Sequence, residues 1–141
     1  MLIDQPFIHT VLPQRPPMIM VDSLLYSDGQ TTRCGLKVLA DNIFVADGFL
    51  QEPGLIENMA QSAAAGTGYK AQQLGLAAPV GFIGAVQNLE VFTLPAVGTG
   101  LETVVNVTNQ VFDVTFINAV ITQNGNLVAQ CGMKIFIPKQ S

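Results

Sequence analysis

Glu57 and Gln61 stand four positions apart in the one long stretch of this 141-residue chain that reads as helix. At that spacing the two side chains share a face, and the Gln61 amide can hydrogen-bond the carboxylate or a ligand beside it. Glu57 falls in the first turn and a half, about 100 degrees round from Ile56, on the flank of the face that Ile56, Met59, Ala60 and Ala63 are expected to turn to the core. The helix macrodipole favours an anion there, while partial burial disfavours it. Helix first turns are rich in Asp and Glu, so the position also suits a carboxylate placed for the dipole alone.

Other chemistry-bearing residues are few. His9, the sole histidine, precedes a proline cluster in what reads as a surface turn and fits an exposed or capping role. Asp22 interrupts the apolar run Met18-Ile-Met-Val-Asp-Ser-Leu-Leu, where a buried carboxylate needs a partner; Arg15 and Arg33 are the candidates. Cys34 and Cys131 lie in separate strand-like segments and read as reduced core thiols. One His and two distant Cys give no expectation of a metal site. Phosphate-binding glycine loops and a Ser-His-Asp set are absent, so no cofactor is expected, and Gly66-Thr-Gly68 and Gly98-Thr-Gly100 read as packing and turn features.

The composition narrows the partners. Six Lys/Arg stand against ten Asp/Glu, for a net charge of -4, with 49% hydrophobic and 11% charged residues. The pI of about 4.6 leaves no electrostatic footprint for a phosphate backbone, so nucleic acid is not expected. Charges this sparse cannot cover the surface, and a homo-oligomer, dimer or higher, is expected. Mean hydropathy is +0.41, yet every apolar run is broken within a few residues, and none approaches the roughly 20 residues of a spanning helix. The N-terminus has neither a basic start nor a continuous apolar segment, so a cytoplasmic location is the expectation.

The elements that must position these residues form a single domain over 1–141, with no repeat or linker in it. Residues 6–12 allow one amphipathic turn before the cluster Pro13-Gln-Arg-Pro-Pro17, which forces extended backbone. Met18 to Tyr26 and Thr31 to Leu39 read as paired strands around the turn Ser27-Asp28-Gly29, and 40–51 as irregular, with Asp47-Gly48 among its breakers. Glu52 to about Leu74 is the helix, with Pro53 suited to its first turn and Gly75 to its stop. Its run Ser62-Ala-Ala-Ala-Gly-Thr-Gly68 is slim, as when a sheet wraps closely round it. Gly81 to Phe92, Leu101 to Gln110, Phe112 to Thr122 and Leu127 to Ile137 follow as strands, the last two joined by the hairpin signal Asn124-Gly125. The order predicts an α+β domain, an antiparallel sheet with one helix packed on it.

Four blocks, in order over nearly the whole chain, resemble the hotdog-fold 3-hydroxyacyl-[acyl-carrier-protein] dehydratases. They are Leu12-Pro-Gln-Arg-Pro-Pro-Met-Ile-Met-Val-Asp22, Pro53-Gly-Leu-Ile-Glu-Asn-Met-Ala-Gln61, Phe82-Ile-Gly-Ala-Val-Gln-Asn-Leu-Glu-Val-Phe92 with Pro95 and Gly98, and Asn124-Gly125 before Leu127-Val-Ala-Gln-Cys. Divergent relatives associated with aryl polyene and flexirubin-type pigments are the most similar branch. The resemblance implies a sheet wrapped round a central helix and an active site at a subunit interface for an acyl-carrier-protein or acyl-CoA thioester. It makes Glu57 the carboxylate that helps expel the C3 hydroxyl, places Gly54 near the thioester carbonyl, and brings Gln61 and Gly84 in as substrate-side residues. Where that family carries Gly-His-Phe-Pro before the helix, this chain has Ala46-Asp-Gly-Phe-Leu-Gln-Glu52, and Gln14 replaces a usual His in the opening block. The base would then be Asp47, Glu52, Glu57 itself or a group of a second hotdog subunit. Three functions follow: a dehydratase of acyl thioesters, a non-catalytic hotdog subunit that binds acyl chains or completes a heteromer, and a thioesterase.

Overall fold

The computed structural model describes residues 1–138. A short 3-10 helix, Gln5–Thr10, opens the chain, followed by β1 (Ser23–Ser27) and β2 (Thr31–Lys37). A small hairpin, β3 (Val45–Ala46) and β4 (Phe49–Leu50), leads into α1 (Glu52–Gln73). Four long strands complete the fold: β5 (Phe82–Val91), β6 (Gly100–Val111), β7 (Val114–Gln123) and β8 (Asn126–Phe136).

The sheet is antiparallel, with strand order β1-β2-β6-β7-β8-β5. Period-two alternation sets which face meets the helix: Cys34 and Leu36 in β2, Leu101, Thr103 and Val105 in β6, and Ala129, Cys131, Met133 and Ile135 in β8 are all buried. Between β7 and β8 the Asn-Gly pair takes left-handed backbone, φ 51° at Asn124 and 79° at Gly125, the twist a two-residue hairpin requires. The segment expected to be irregular contains a hairpin of the same kind, with Asp47 (φ 54°) and Gly48 (φ 83°) at its turn.

Helix α1 ends as its sequence implies. Leu76 N–H donates to Ala71 O at 2.8 Å and Gly75 N–H to Gln72 O at 3.1 Å, a Schellman pair around Gly75 at φ 72°. Its buried face carries Leu55, Met59, Ser62, Ala65 and Gly66, while Ile56, Ala60 and Ala63 are half-buried and pack on the rim of the core. The buried stripe is thus turned about one residue from the expected one, because two amides share it. Asn58 and Gln61 are both fully buried.

Those amides explain where β1 begins. The backbone of Met18 to Met20 was expected to be strand, yet its polar groups are taken by the helix. Met20 N–H donates to Gln61 Oε1 (2.7 Å), Asn58 Nδ2 donates to Met20 O (2.8 Å), and Gln61 Nε2 donates to Met18 O (2.8 Å). Thr103 Oγ1 closes the network on Asn58 Oδ1 from β6. Asp22 is only half-buried and takes neither Arg15 nor Arg33. Its Oδ2 accepts the Lys37 N–H at 2.7 Å, while Arg33 pairs with Glu102 and Arg15 donates to Leu12 O and Gln14 O.

The slim run of α1 is filled by backbone. A β-carbon on Gly68 would collide with the Val11 carbonyl, and one on Gly66 with the Thr32 side chain. A second small core lies there, where Ile8, Val11, Leu12, Val21, Leu24 and Cys34 surround Ala65. One helix inside a wrapped antiparallel sheet is the hotdog arrangement. Among the described residues no helix is long and apolar enough to cross a membrane.

Alanine at Gly66 and Gly68 separates two effects. Each replacement gains about 1 kcal/mol of helix propensity. At Gly66 a side chain must give way, so the unfolding midpoint in urea should move little. At Gly68 the obstacle is main chain, and overpacking should cost about 1–3 kcal/mol net, seen as a clearly lower midpoint. Burial also pushes the Cys34 thiol up to about 12 and the Cys131 thiol to about 11. Both should stay unreactive toward a chromogenic disulfide reagent at pH 8 and titrate together once denaturant unfolds the chain.

Candidate functional site

Glu57 is half-buried at the edge of α1, where Gln61 Nε2 donates to its Oε2 at 3.1 Å. Because the same Gln61 amide holds Met18 and Met20, the carboxylate is oriented by a group that cannot rotate without also breaking two contacts to another chain segment. Glu57 opens onto a cavity of about 310 Å³, whose other walls are Gln14, Ala60, Ala64, Gly81, Phe82, Ile83 and Ile135. The lining is apolar apart from the two facing polar residues. Gln14 Oε1 is buried there without a hydrogen-bond partner among the described residues.

Gln14 is the residue that the sequence flagged only as a replacement. Its presence on the cavity wall opposite a helix carboxylate follows from the proline cluster, which turns at Pro16-Pro17 rather than running extended as expected, with Met18 N–H donating to Arg15 O at 2.9 Å, and is pinned to α1 by the Met18 and Met20 hydrogen bonds. The signal available beforehand was its place in the opening block, where a polar residue precedes Arg15 and two prolines. A carboxamide supplies a donor and an acceptor but no proton at neutral pH, so Gln14 can orient a bound group and cannot take a proton from it.

The remaining sequence candidates fall elsewhere. Gly54 is buried, with its N–H donated to Gln51 O at 2.9 Å. A β-carbon there would strike Leu50 Cδ1 at 2.7 Å and Phe44 at 2.8 Å, so within this chain it lets the helix start sit against β4. Gly84 is exposed on β5, beside a bulge between Ile83 and Ala85, next to the cavity wall rather than in it. Asp47 and Glu52 are exposed, one at the β3–β4 turn and one on the first turn of α1. His9 is exposed at the end of the 3-10 helix and borders a different groove, of about 590 Å³, with Arg15, Asp22, Lys37 and Asp41. Among the described residues no group of three or more His, Cys, Asp or Glu side chains could hold a metal ion.

Two features frame the site. The cavity wall formed by Phe82 and Ile83 belongs to β5, an edge strand of the sheet. The opposite edge, β1, is covered by the N-terminal segment, through Leu2 N–H and Ile3 N–H to Leu24 O and Leu24 N–H to Ile3 O. Along β5 the side chains of Phe82 (57%), Ile83 (38%) and Val86 (37%) are exposed. Behind the first cavity lies a second, also of about 310 Å³, between α1 and β6–β8, and the two share Ala64, Gly81 and Ile135 as walls.

The fold has known counterparts. One chain of the dehydratase heterocomplex ApeI:P from Xenorhabdus doucetiae superposes with a TM-score of 0.81 at 18% identity, covering 94% of this chain and 91% of that one. An uncharacterised protein from Pyrococcus horikoshii gives 0.69 at 11% identity, with 93% of each chain covered. A hypothetical thioesterase from Streptococcus pneumoniae, solved with coenzyme A, gives 0.66 at 13% identity over 84% of this chain and 86% of that one. At these identities the likeness is one of fold. No curated protein matches the chain. The family model described as ApeP-like, ApeP dehydratase, matches residues 6–141, and the chain accordingly belongs to the ApeP-like dehydratase family.

Proposed function

We propose that this chain supplies the carboxylate half of a 3-hydroxyacyl-thioester dehydratase site, and that a second hotdog subunit, docked along β5, completes it. The observation that carries the reading is a single oriented carboxylate, Glu57, at the mouth of an apolar cavity whose outer wall is an uncovered sheet edge and whose facing polar group, Gln14, cannot act as a base. In the elimination a base removes the C2 proton, the electron pair becomes the C2–C3 double bond, and the C3 hydroxyl leaves as water after taking a proton from an acid. Glu57 is suited to the acid's role, held in place by Gln61, with Gln14 available to hold the hydroxyl or the thioester carbonyl. The base then comes from the second subunit. Membership of a dehydratase family supports the reaction class, and the Xenorhabdus relative is itself found in a heterocomplex. The substrate is an acyl thioester on an acyl carrier protein or coenzyme A, and Glu57, Gln14 and Gln61 form its site.

The lost histidine also favours a second reading, in which this chain binds acyl groups or stabilises a catalytic partner without taking part in the chemistry. Turnover of a 3-hydroxyacyl carrier-protein substrate by the chain mixed with companion hotdog proteins separates the two. Glu57→Gln should lower kcat by about 10²–10⁴-fold with the assembly intact, the usual worth of a general acid. Undiminished turnover by that variant complex assigns the chemistry wholly to the partner, and free thiol released without enoyl product identifies a thioesterase instead.

The edge strand offers a separate check. Lysine at Val86, which is exposed on β5 and lines neither cavity, places a charge on the edge that a partner strand would cover. Light scattering should show the assembly shifted to lower mass, with the thermal midpoint of the released chain changed by no more than a few degrees.

A further inference from the structure

The two cavities along α1 meet at three residues that wall both: Ala64 on the helix, Gly81 at the entry to β5, and Ile135 on β8. Ala64 follows Glu57 by seven residues. That is about 10 Å of helix at 1.5 Å per residue. Beyond it the second cavity runs between Ala63 and Thr67 on α1 and Val105, Ile117 and Ile137 opposite, to a rim where Lys70 is exposed.

Two of the three shared walls are the smallest residues available. A β-carbon on Gly81 would lie 3.3 Å from both Ile135 Cγ2 and Ile137 Cγ1, so its absence leaves open the space in front of those side chains. The backbone makes no demand for glycine there, because Gly81 is not among the glycines with positive φ. On a helix, side chains lean toward the N-terminus, so anything longer than the Ala64 methyl would lie over Ala60, across the end of the first cavity.

We infer that Ala64 and Gly81 form a neck kept open for the hydrocarbon chain of the substrate, and that this chain is long enough to pass it and lie in the second cavity. An extended alkyl chain advances about 1.2 Å per bond, a third of the three-bond step of extended backbone, so a chain held with C3 at Glu57 reaches Ala64 after about eight bonds. The substrate class is then acyl groups of roughly 12 carbons or more. A cavity walled mainly by apolar side chains takes hydrocarbon in preference to water, so methylenes past the neck strengthen binding as those before it do. The inference rests on the reading of Glu57 as the reacting end, and it adds the length of the acyl group and the two residues that permit it.

The test is binding, measured by calorimetry on the intact assembly with saturated straight-chain acyl N-acetylcysteamine thioesters of increasing length, which lack the C3 hydroxyl and so cannot eliminate. With the native chain, affinity should climb by up to about fourfold per methylene, without a break where the chain reaches Ala64. Ala64→Leu closes the neck from the helix and Gly81→Val from the sheet. Each should leave the short thioesters bound as before and level the series at the same length, about 10–12 carbons. A native series that levels there by itself overturns the proposal, as does a series that keeps climbing in the variants. Should one variant also lose the short thioesters, with a lower thermal midpoint, the other decides. Loss of them in both overturns the inference, because the two positions then serve the fold and not a passage. Should the elimination reading fail, the break in the length series remains although no enoyl product forms; should this one fail, product forms and no break appears.

Discussion

Two buried amides, Asn58 and Gln61, organise the molecule. Each lies on the face of α1 that would otherwise be wholly apolar, and between them they accept or donate every hydrogen bond that the Met18 and Met20 backbone brings to the helix. Their polar atoms are costly to bury unpaired, so the approach of this segment to the helix has one satisfactory register. From that register the rest follows. The proline cluster is laid along the helix, Gln14 faces the cavity, and the remaining Gln61 hydrogen is directed at Glu57. A structural staple and the orientation of the Glu57 carboxylate are therefore the same interaction.

The sheet adds a constraint of the opposite kind. Its β1 edge is capped by the chain's own N-terminal segment, whereas β5 carries exposed apolar side chains and leaves a ladder edge open. The cavity beside Glu57 borrows its wall from that open edge. If a partner docks on β5 as proposed, site geometry and subunit association are coupled through Phe82 and Ile83, which line the cavity and lie on that edge.

Much of this could be read from residue order. Helix limits followed from Pro53 and Gly75, the last hairpin from Asn124-Gly125, and the core parity of β8 from its alternation, because each is a local rule acting on local sequence. The resemblance brought Glu57 forward, and the structure places it on a cavity. What could not be read were the long-range polar pairings. Met18 to Met20 has strand composition, and only the positions of Asn58 and Gln61 in space show that its hydrogen bonds go to a helix. The lone Asp22 suggested an arginine, and a backbone N–H serves instead.

The slimness of α1 bears on how the chain reaches this state. Gly66 and Gly68 each cost the isolated helix about 1 kcal/mol, and the alanine-rich run between Gln61 and Gly66 has little apolar surface with which to recover it. A helix of this make is not stable by itself in water. Its cover comes from both directions along the chain, from Val11, β1 and β2 before it and from β6 to β8 after it, in contacts distant in sequence. Part of that cover is made only after the helix, so the core is complete, and the fold gained, once both sets of strands are present. The close approach of backbone to the slim helix is what makes the folding of this small domain depend on segments far from α1 in sequence.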